Sequence, residues 1–207
     1  MGITERRNAE KDALRKKIID AASEILINEG YENLSIRKIA AKIEYSPGII
    51  YHYFKDKSEI LKFILKDGQS KITKIINEIS IDENEPEVAI TNVLRKYIEF
   101  ILEEKEQYRA LLMSNLDGTD SSVKMLYAGV SKDKKTIGSM CDCIQIGINN
   151  GRFKKVDLEL TAQIIWTSTY GLISRLIIEK DIPKEQQNKL IEHHLQFIIN
   201  GLIGGKD

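Results

Sequence analysis

Apolar residues recur at intervals of three and four along most of this chain, which is the spacing of amphipathic helices rather than of strands. The chain has 207 residues, of which only three are prolines, so proline rarely interrupts this spacing. The first apolar stripes are Ile18, Ala22, Ile25 and Leu26, then Ile36, Ile39, Ala40 and Ile43. We therefore predict an all-α chain of about nine helices.

Caps and breaks give the predicted helix bounds. Ser35, Ser46 and Asp157 can act as N-caps, and proline suits the first helical position. Asp56 with Glu59 has the sequence of a capping box. The predicted helices run over about 9–29, 35–42, 46–54, 56–79, 86–104, 106–115, 121–149, 157–180 and 183–202.

Two very short helices joined by a tight turn are predicted between residues 35 and 54. In the second, Ile50 and Phe54 fall four apart and can face a core. The other positions are predicted to point outward, and they are unusually apolar and aromatic: Pro47, Gly48, Ile49, Tyr51, His52 and Tyr53. A supporting helix followed by a helix that enters a groove is the helix-turn-helix arrangement.

At these residues the chain resembles the TetR family of transcriptional regulators. The resemblance covers about 50 residues and is carried by Leu34 to Ala40, Ser46, Gly48 to Phe54 and Lys55 to Leu61. It implies a dimer that binds a palindromic operator, in most members as a repressor, and releases it when a small effector binds. The DNA-binding residues that it implies are Arg37, Ser46, Pro47, Gly48, Ile49, Tyr51, His52, Tyr53, Lys55 and Lys57.

The turn between the two short helices departs from the family. Glu44 stands where members usually carry glycine. A non-glycine residue at positive φ costs on the order of 1 kcal/mol. The turn either accepts this cost or adopts another geometry.

Net charge is zero, with 31 Lys/Arg and 31 Asp/Glu, so composition alone does not indicate nucleic acid. Residues 1–57 hold 11 Lys/Arg and 9 Asp/Glu, a net of +2. Placement matters more than the sum, because about six to ten phosphate contacts suffice for a salt-dependent complex.

The predicted organisation is a DNA-binding domain over residues 1–57 and an effector-binding and dimerisation domain over 58–207. No proline interrupts 56–79, so a continuous helix is expected to join the two. The apolar positions of 158–180 cover most of that helix's circumference, and 183–202 carries a second stripe. Burial on more than one side favours a homodimer through these helices, although burial within a monomer core is the alternative.

An apolar cavity between helices is predicted to hold a hydrophobic or aromatic effector. Each candidate is more often ordinary core than pocket lining. The candidates are Tyr97, Phe100, Ile101, Tyr108, Leu112, Met113, Met140, Ile144, Trp166 and Tyr170.

The sequence nominates no enzyme active site, no cofactor and no metal site. Cys141 and Cys143 point some 200° apart on a helix, and His193 and His194 about 100° apart, so neither pair can chelate one ion. There is no signal-peptide core and no transmembrane run, so we expect a cytoplasmic protein with no membrane partner. The alternative function is a small-molecule or thiol redox sensor whose helix-turn-helix no longer acts on DNA.

Overall fold

A computed structural model describes residues 2–77, 82–113, 124–179 and 181–203, without the side chains of 3, 65, 69, 72, 73, 75–77 and 110–113. These residues confirm the all-α prediction. Ten α-helices and one 3₁₀ turn are present in this part of the chain. The helices are α1 (Ile3–Glu29), α2 (Ile36–Lys42), α3 (Pro47–Tyr51), α4 (Lys57–Asn77), α5 (Pro86–Glu103), α6 (Lys105–Met113), α7 (Val130–Asp133), α8 (Lys135–Asn149), α9 (Leu158–Ile178) and α10 (Lys184–Leu202).

The chain forms two compact units. The N-terminal unit comprises Met1–Ser70 and Glu104–Asn115, and the second unit comprises Lys71–Glu103 and Leu116–Asp207. The predicted functional boundary after residue 57 stays a prediction. Among the described helices, none combines the length and the apolar composition needed to cross a membrane.

The prediction of one helix over 121–149 is wrong. Residues 124–129 are not helical, and the short α7 precedes α8. Gly129 has φ 87° and Lys134 is extended, so the helical path is broken on both sides of α7. Residues 121–123 lie outside the described part, as do the predicted helix ends at 79, 115 and 180.

The core of the N-terminal unit follows the predicted stripes. Ile18, Ile25 and Leu26 of α1 are buried in one cluster with residues of α2, α3 and α4. The ring of Phe54 meets Phe63 edge to face, with centroids 5.6 Å apart. The guanidinium of Arg15 lies 4.1 Å from the Phe63 centroid and closes this aromatic cluster.

In the second unit, α5, α8 and α9 pack against one another, and α10 packs on α5 and α9. The isolated N-terminus of α7 is capped from α9, where the Glu159 carboxylate accepts hydrogen bonds from Gly129 N (2.7 Å) and Ser131 N (2.9 Å). The hydrogen bond from the Ser131 hydroxyl, followed by these two backbone bonds, holds the pKa of Glu159 below its usual value. A four-residue helix cannot persist without such partners.

The loop after α8 contacts two distant segments of the second unit. The Arg152 guanidinium pairs with the Glu87 carboxylate at the start of α5. Phe153 is buried and forms an isolated β-bridge with Ile203. The Phe153 ring covers Gly147, where an added Cβ would lie 2.1 Å from Cδ2.

We predict that Gly147→Ala lowers the free energy of unfolding by about 2 kcal/mol, because the methyl group and the Phe153 ring cannot occupy the same space. Gly68→Ala is the control, since among the described side chains its Cβ would meet Tyr108 Oη alone, at 3.9 Å. That control should gain up to about 1 kcal/mol from helix propensity. Urea denaturation of both variants gives the comparison, and equal changes would contradict the assignment.

Candidate nucleic-acid interface

The two short helices and their caps form as the sequence predicts. Ser35 Oγ accepts a hydrogen bond from Lys38 N at 3.2 Å and caps α2. Ser46 is the N-cap residue of α3, although its side chain makes no capping hydrogen bond, and Pro47 occupies the first turn. Ile50 and Phe54 are fully buried and fix the inner side of α3.

The outer side of α3 agrees with the prediction at most positions. Ser46, Pro47, Gly48, Tyr51 and His52 are exposed. The two exceptions are Ile49, which is half-buried, and Tyr53, which is half-buried and packs on the core. The helix ends at Tyr51, and residues 52–53 form a turn, so a helical extrapolation misplaces Tyr53.

The basic side chains of the predicted surface differ in exposure and in contacts. Arg37 and Lys55 are exposed. Lys57 is half-buried, with Nζ 4.3 Å from the centroid of the Tyr31 ring. The cation–π contact restrains this ammonium group without neutralising it.

The predicted capping box holds the start of α4 beside these lysines. Asp56 Oδ1 accepts a hydrogen bond from Glu59 N at 2.9 Å. Glu59 Oε2 in turn accepts one from Lys55 N at 2.6 Å, one residue earlier than in the usual box. The Glu59 carboxylate therefore fixes the backbone at Lys55, and the Asp56 carboxylate fixes the backbone at Glu59.

The turn between α2 and α3 takes the left-handed geometry, which resolves the choice that the sequence left open. Glu44 has φ 62°. Tyr45 N donates to Ala40 O at 2.9 Å, and Glu44 N donates to Ala41 O at 3.2 Å. These two bonds are the 6→1 and 5→2 pair of a Schellman motif, whose left-handed position is normally glycine.

Lys17 of α1 contacts this turn and Tyr45 is part of it, and sequence reasoning missed both roles. Lys17 Nζ donates to Ile43 O at 3.3 Å and lies 5.3 Å from the centroid of the Tyr45 ring. Tyr45 is 42% exposed. Lys17 is 26 residues from Ile43, so no local pattern indicates the contact.

The second unit presents an apolar stripe on its outer side. On α9, Ile164, Gly171 and Ile178 recur every seven residues and are exposed, and on α10 Leu190 and Phe197 do the same. Ile164 is 68% and Phe197 73% exposed. A Cβ added at Gly171 would meet no described atom within 4 Å, so packing among the described residues does not require a glycine there. We call these five residues the outward stripe.

The predicted effector-lining residues fall on several helices. Within the second unit, Tyr97, Phe100 and Ile101 lie on α5, Met140 and Ile144 on α8, and Trp166 and Tyr170 on α9. These three helices pack together. Ile101 and Ile144 are buried, the other five are half-buried, and the Trp166 and Tyr170 rings stack with centroids 5.3 Å apart.

Three further effector candidates lie on α6 in the N-terminal unit. Tyr108 is half-buried there. The side chains of Leu112 and Met113 lie outside the described part. The assignment of all ten residues to a pocket stays a prediction.

A concavity of about 270 Å³ lies between α5 and α10 and has a different character from the predicted pocket. It contains none of the predicted effector residues. Its lining is Arg95, Glu99, Leu102, Glu103, Lys184, Asn188, Ile191 and Glu192. The Arg95–Glu192 ion pair spans it, so its charges are already partly neutralised.

The two thiols of the second unit are buried and the His194 imidazole is half-buried. Cys141 and Cys143 are both buried, and burial raises the pKa of each thiol, which disfavours the reactive thiolate. His194 Nε2 lies 2.9 Å from Thr169 Oγ1, and burial lowers its pKa. In the described part of the chain, no three His, Cys, Asp or Glu residues are grouped for a metal ion.

Comparison with known families agrees with this geometry. The family of bacterial regulatory proteins, tetR family, matches residues 18–64, which include α2, α3 and the start of α4. The HTH-type transcriptional regulator PksA of Bacillus subtilis is 31% identical over 84 residues. That match covers 41% of this chain and 41% of PksA, so it concerns less than half of the relative.

Solved structures resemble a larger part of the chain. A TetR transcription regulator from Haloarcula marismortui has a TM-score of 0.72 and 18% identity, covering 93% of this chain and all of the other. The SmeT–triclosan complex has a TM-score of 0.66 and 16% identity, covering 94% of this chain and 93% of the other. At these identities the similarity shows the fold.

We predict that Glu44→Gly raises the free energy of unfolding by about 1 kcal/mol, because glycine occupies the left-handed region without a Cβ clash. Glu32→Gly is the matched control. It also removes an exposed glutamate but at negative φ in the 3₁₀ turn, so its stability should fall. A loss of stability on Glu44→Gly in thermal or urea unfolding would show that the turn is not strained.

Proposed function

Because the chain belongs to the TetR family of bacterial transcriptional regulators, we propose that it is a dimeric repressor that releases a palindromic operator when a hydrophobic effector binds. The observation that carries this proposal is the exposed apolar and aromatic face of α3, set between a capped turn and the basic start of α4. A surface of this kind at the second helix of a helix-turn-helix suits a DNA major groove.

The side chains of the interface divide into two roles. Gly48 permits close approach of the backbone, and the partly exposed Ile49 can contact a thymine methyl group. Tyr51, Arg37 and Lys55 are exposed at positions suited to phosphate contacts, which orient the protein without reading sequence. No Arg, Asn or Gln occurs between residues 46 and 54, so specificity relies on methyl contacts and DNA shape.

The outward stripe supports a homodimer through α9 and α10. Its apolar residues recur with heptad spacing, and Gly171 leaves room where a second helix can approach closely. A two-fold pairing buries the same patch on both subunits. It also places two recognition helices about one DNA turn or a multiple apart, which requires a palindromic operator.

The effector proposal is supported by the mainly apolar and aromatic side chains that α5, α8 and α9 bring together. The structurally similar SmeT was solved as a complex with triclosan. Binding among these helices would favour a dimer conformation whose recognition helices no longer match successive major grooves. The thiol-sensor alternative has no support from the buried cysteines.

The first prediction from this proposed function tests sequence-specific DNA binding. Selection from a random duplex library should enrich one palindrome, and failure to enrich any would contradict the proposal. On that palindrome, Ile49→Ala should change the preference between matched and single-base variants by about 5-fold. Lys55→Ala should weaken all duplexes similarly and reduce the slope of log K against log salt by about one.

The other variants in this experiment distinguish the loss of a contact at the DNA interface from the loss of a positive charge elsewhere in the chain. Lys155→Ala removes an exposed lysine of the second unit and should change neither quantity. Tyr51→Ala should behave like Lys55→Ala in weakening both kinds of duplex, though without the change in salt slope. Uniform weakening by Ile49→Ala would contradict a reading role for that residue.

The second prediction tests the dimer. Ile164→Glu should raise the dimer dissociation constant by about 100-fold or more, because it places an unpaired charge in a buried apolar contact. Ile27→Glu makes the same change at a position that is 52% exposed on α1 and should leave the dimer intact. Sedimentation velocity over a concentration series distinguishes the two variants. An unchanged dimer for Ile164→Glu would show that Ile164 is not in the dimer interface.

A further inference from the structure

The left-handed backbone of Glu44 is not stabilised by the Glu44 side chain. It is exposed, its backbone is left-handed, and in the described part of the chain its carboxylate has no hydrogen bond or ion pair. The strain of the turn must therefore be offset by other residues. The α3 N-cap, Ser46, follows only two residues later, so any relaxation of the turn moves the start of α3.

Lys17 is the residue placed to offset this strain. Its ammonium group donates to Ile43 O, immediately before Glu44, and lies on the ring of Tyr45, immediately after it. Ile43 is the C-cap of α2, so the cation also satisfies a carbonyl at the negative end of that helix. Lys17 thus contacts both sides of the strained residue from a different helix.

The helix that carries Lys17 is held by the core and by an ion pair to α2. It lies on α1 one residue before the fully buried Ile18, and the Glu24–Lys42 ion pair of 2.6 Å joins α1 to α2 farther along. A side chain projecting from such a helix can restrain a turn at a fixed distance. Lys16, its neighbour, is exposed and has no partner among the described residues.

We propose that Lys17 is a positioning residue that holds the Ile43–Tyr45 turn in its left-handed conformation and so sets the orientation of α3 on DNA. This inference rests on the proposed function. It distinguishes Lys17 from the phosphate-contacting lysines, because loss of a positioning residue impairs operator binding selectively, whereas loss of a phosphate contact weakens every duplex.

The test compares Lys17→Met with Lys16→Met, Glu44→Gly and the double variant Lys17→Met/Glu44→Gly. Amide hydrogen exchange at Glu44 and Tyr45 reports the turn without DNA. The affinities for the selected operator and for a random duplex of equal length, at one salt concentration, report the orientation of α3. The ratio of the two affinities removes the general effect of changing a charge.

For Lys17→Met we expect about 10-fold faster exchange at both amides and about 10-fold weaker operator binding, as suits the loss of a charged hydrogen bond and a cation–π contact. Random-duplex binding should change no more than it does for Lys16→Met. Adding Glu44→Gly should restore both the slow amide exchange and the operator preference, since glycine adopts the left-handed conformation without support from Lys17. Lys17→Arg should remain close to the unmodified protein.

Two outcomes would overturn the inference. Equal weakening of operator and random duplexes by Lys17→Met would make Lys17 a phosphate contact. Unchanged amide exchange, or no restoration by Glu44→Gly, would show that the turn does not depend on it. If no operator is enriched at all, the proposed function fails, but the exchange measurement still decides whether Lys17 holds the turn.

Discussion

Satisfaction of the backbone groups at helix ends is the constraint on which this structure depends. Several helices are too short to be stable alone, and each end leaves unpaired N–H or C=O groups. Local caps serve α2, α4 and α9. The more isolated ends are served from a distance, by Glu159 at the N-terminus of α7 and by Lys17 at the C-terminus of α2. Where these long-range bonds form, they decide which short segments are helical.

This constraint separates what the sequence could predict from what it could not. Ser35, Asp56 with Glu59, and Asp157 were found because each bonds to a partner three or four residues away. The break before α8 was missed. Glu159 is 28 residues from Ser131. Gln163, whose amide donates to the carbonyls of Met125 and Tyr127, is 38 and 36 residues from them. A local pattern carries no information on such pairs.

The same distinction applies to the candidate sites. The buried side of α3 was predictable because Ile50 and Phe54 follow helical spacing, whereas Tyr53 lies past the last turn. On α9, apolar residues cover most of the circumference, so the sequence could not separate core from outer surface. The structure buries Ile165 and Ile173 and leaves Ile164 and Ile178 exposed. The effector residues share helices, but periodicity does not tell a pocket from a core.

The pairing of Phe153 with Ile203 has a consequence for the order of folding. Lys154 N also donates to Leu202 O at 2.9 Å, so the loop after α8 is closed by residues about fifty positions later. The buried cluster described for α1 to α4, by contrast, lies within one continuous stretch, Ile18 to Ile64, although α6 also belongs to that unit. Contacts of small sequence separation form faster. During synthesis the segment that carries α3 can therefore fold while the second unit still awaits the residues that complete it.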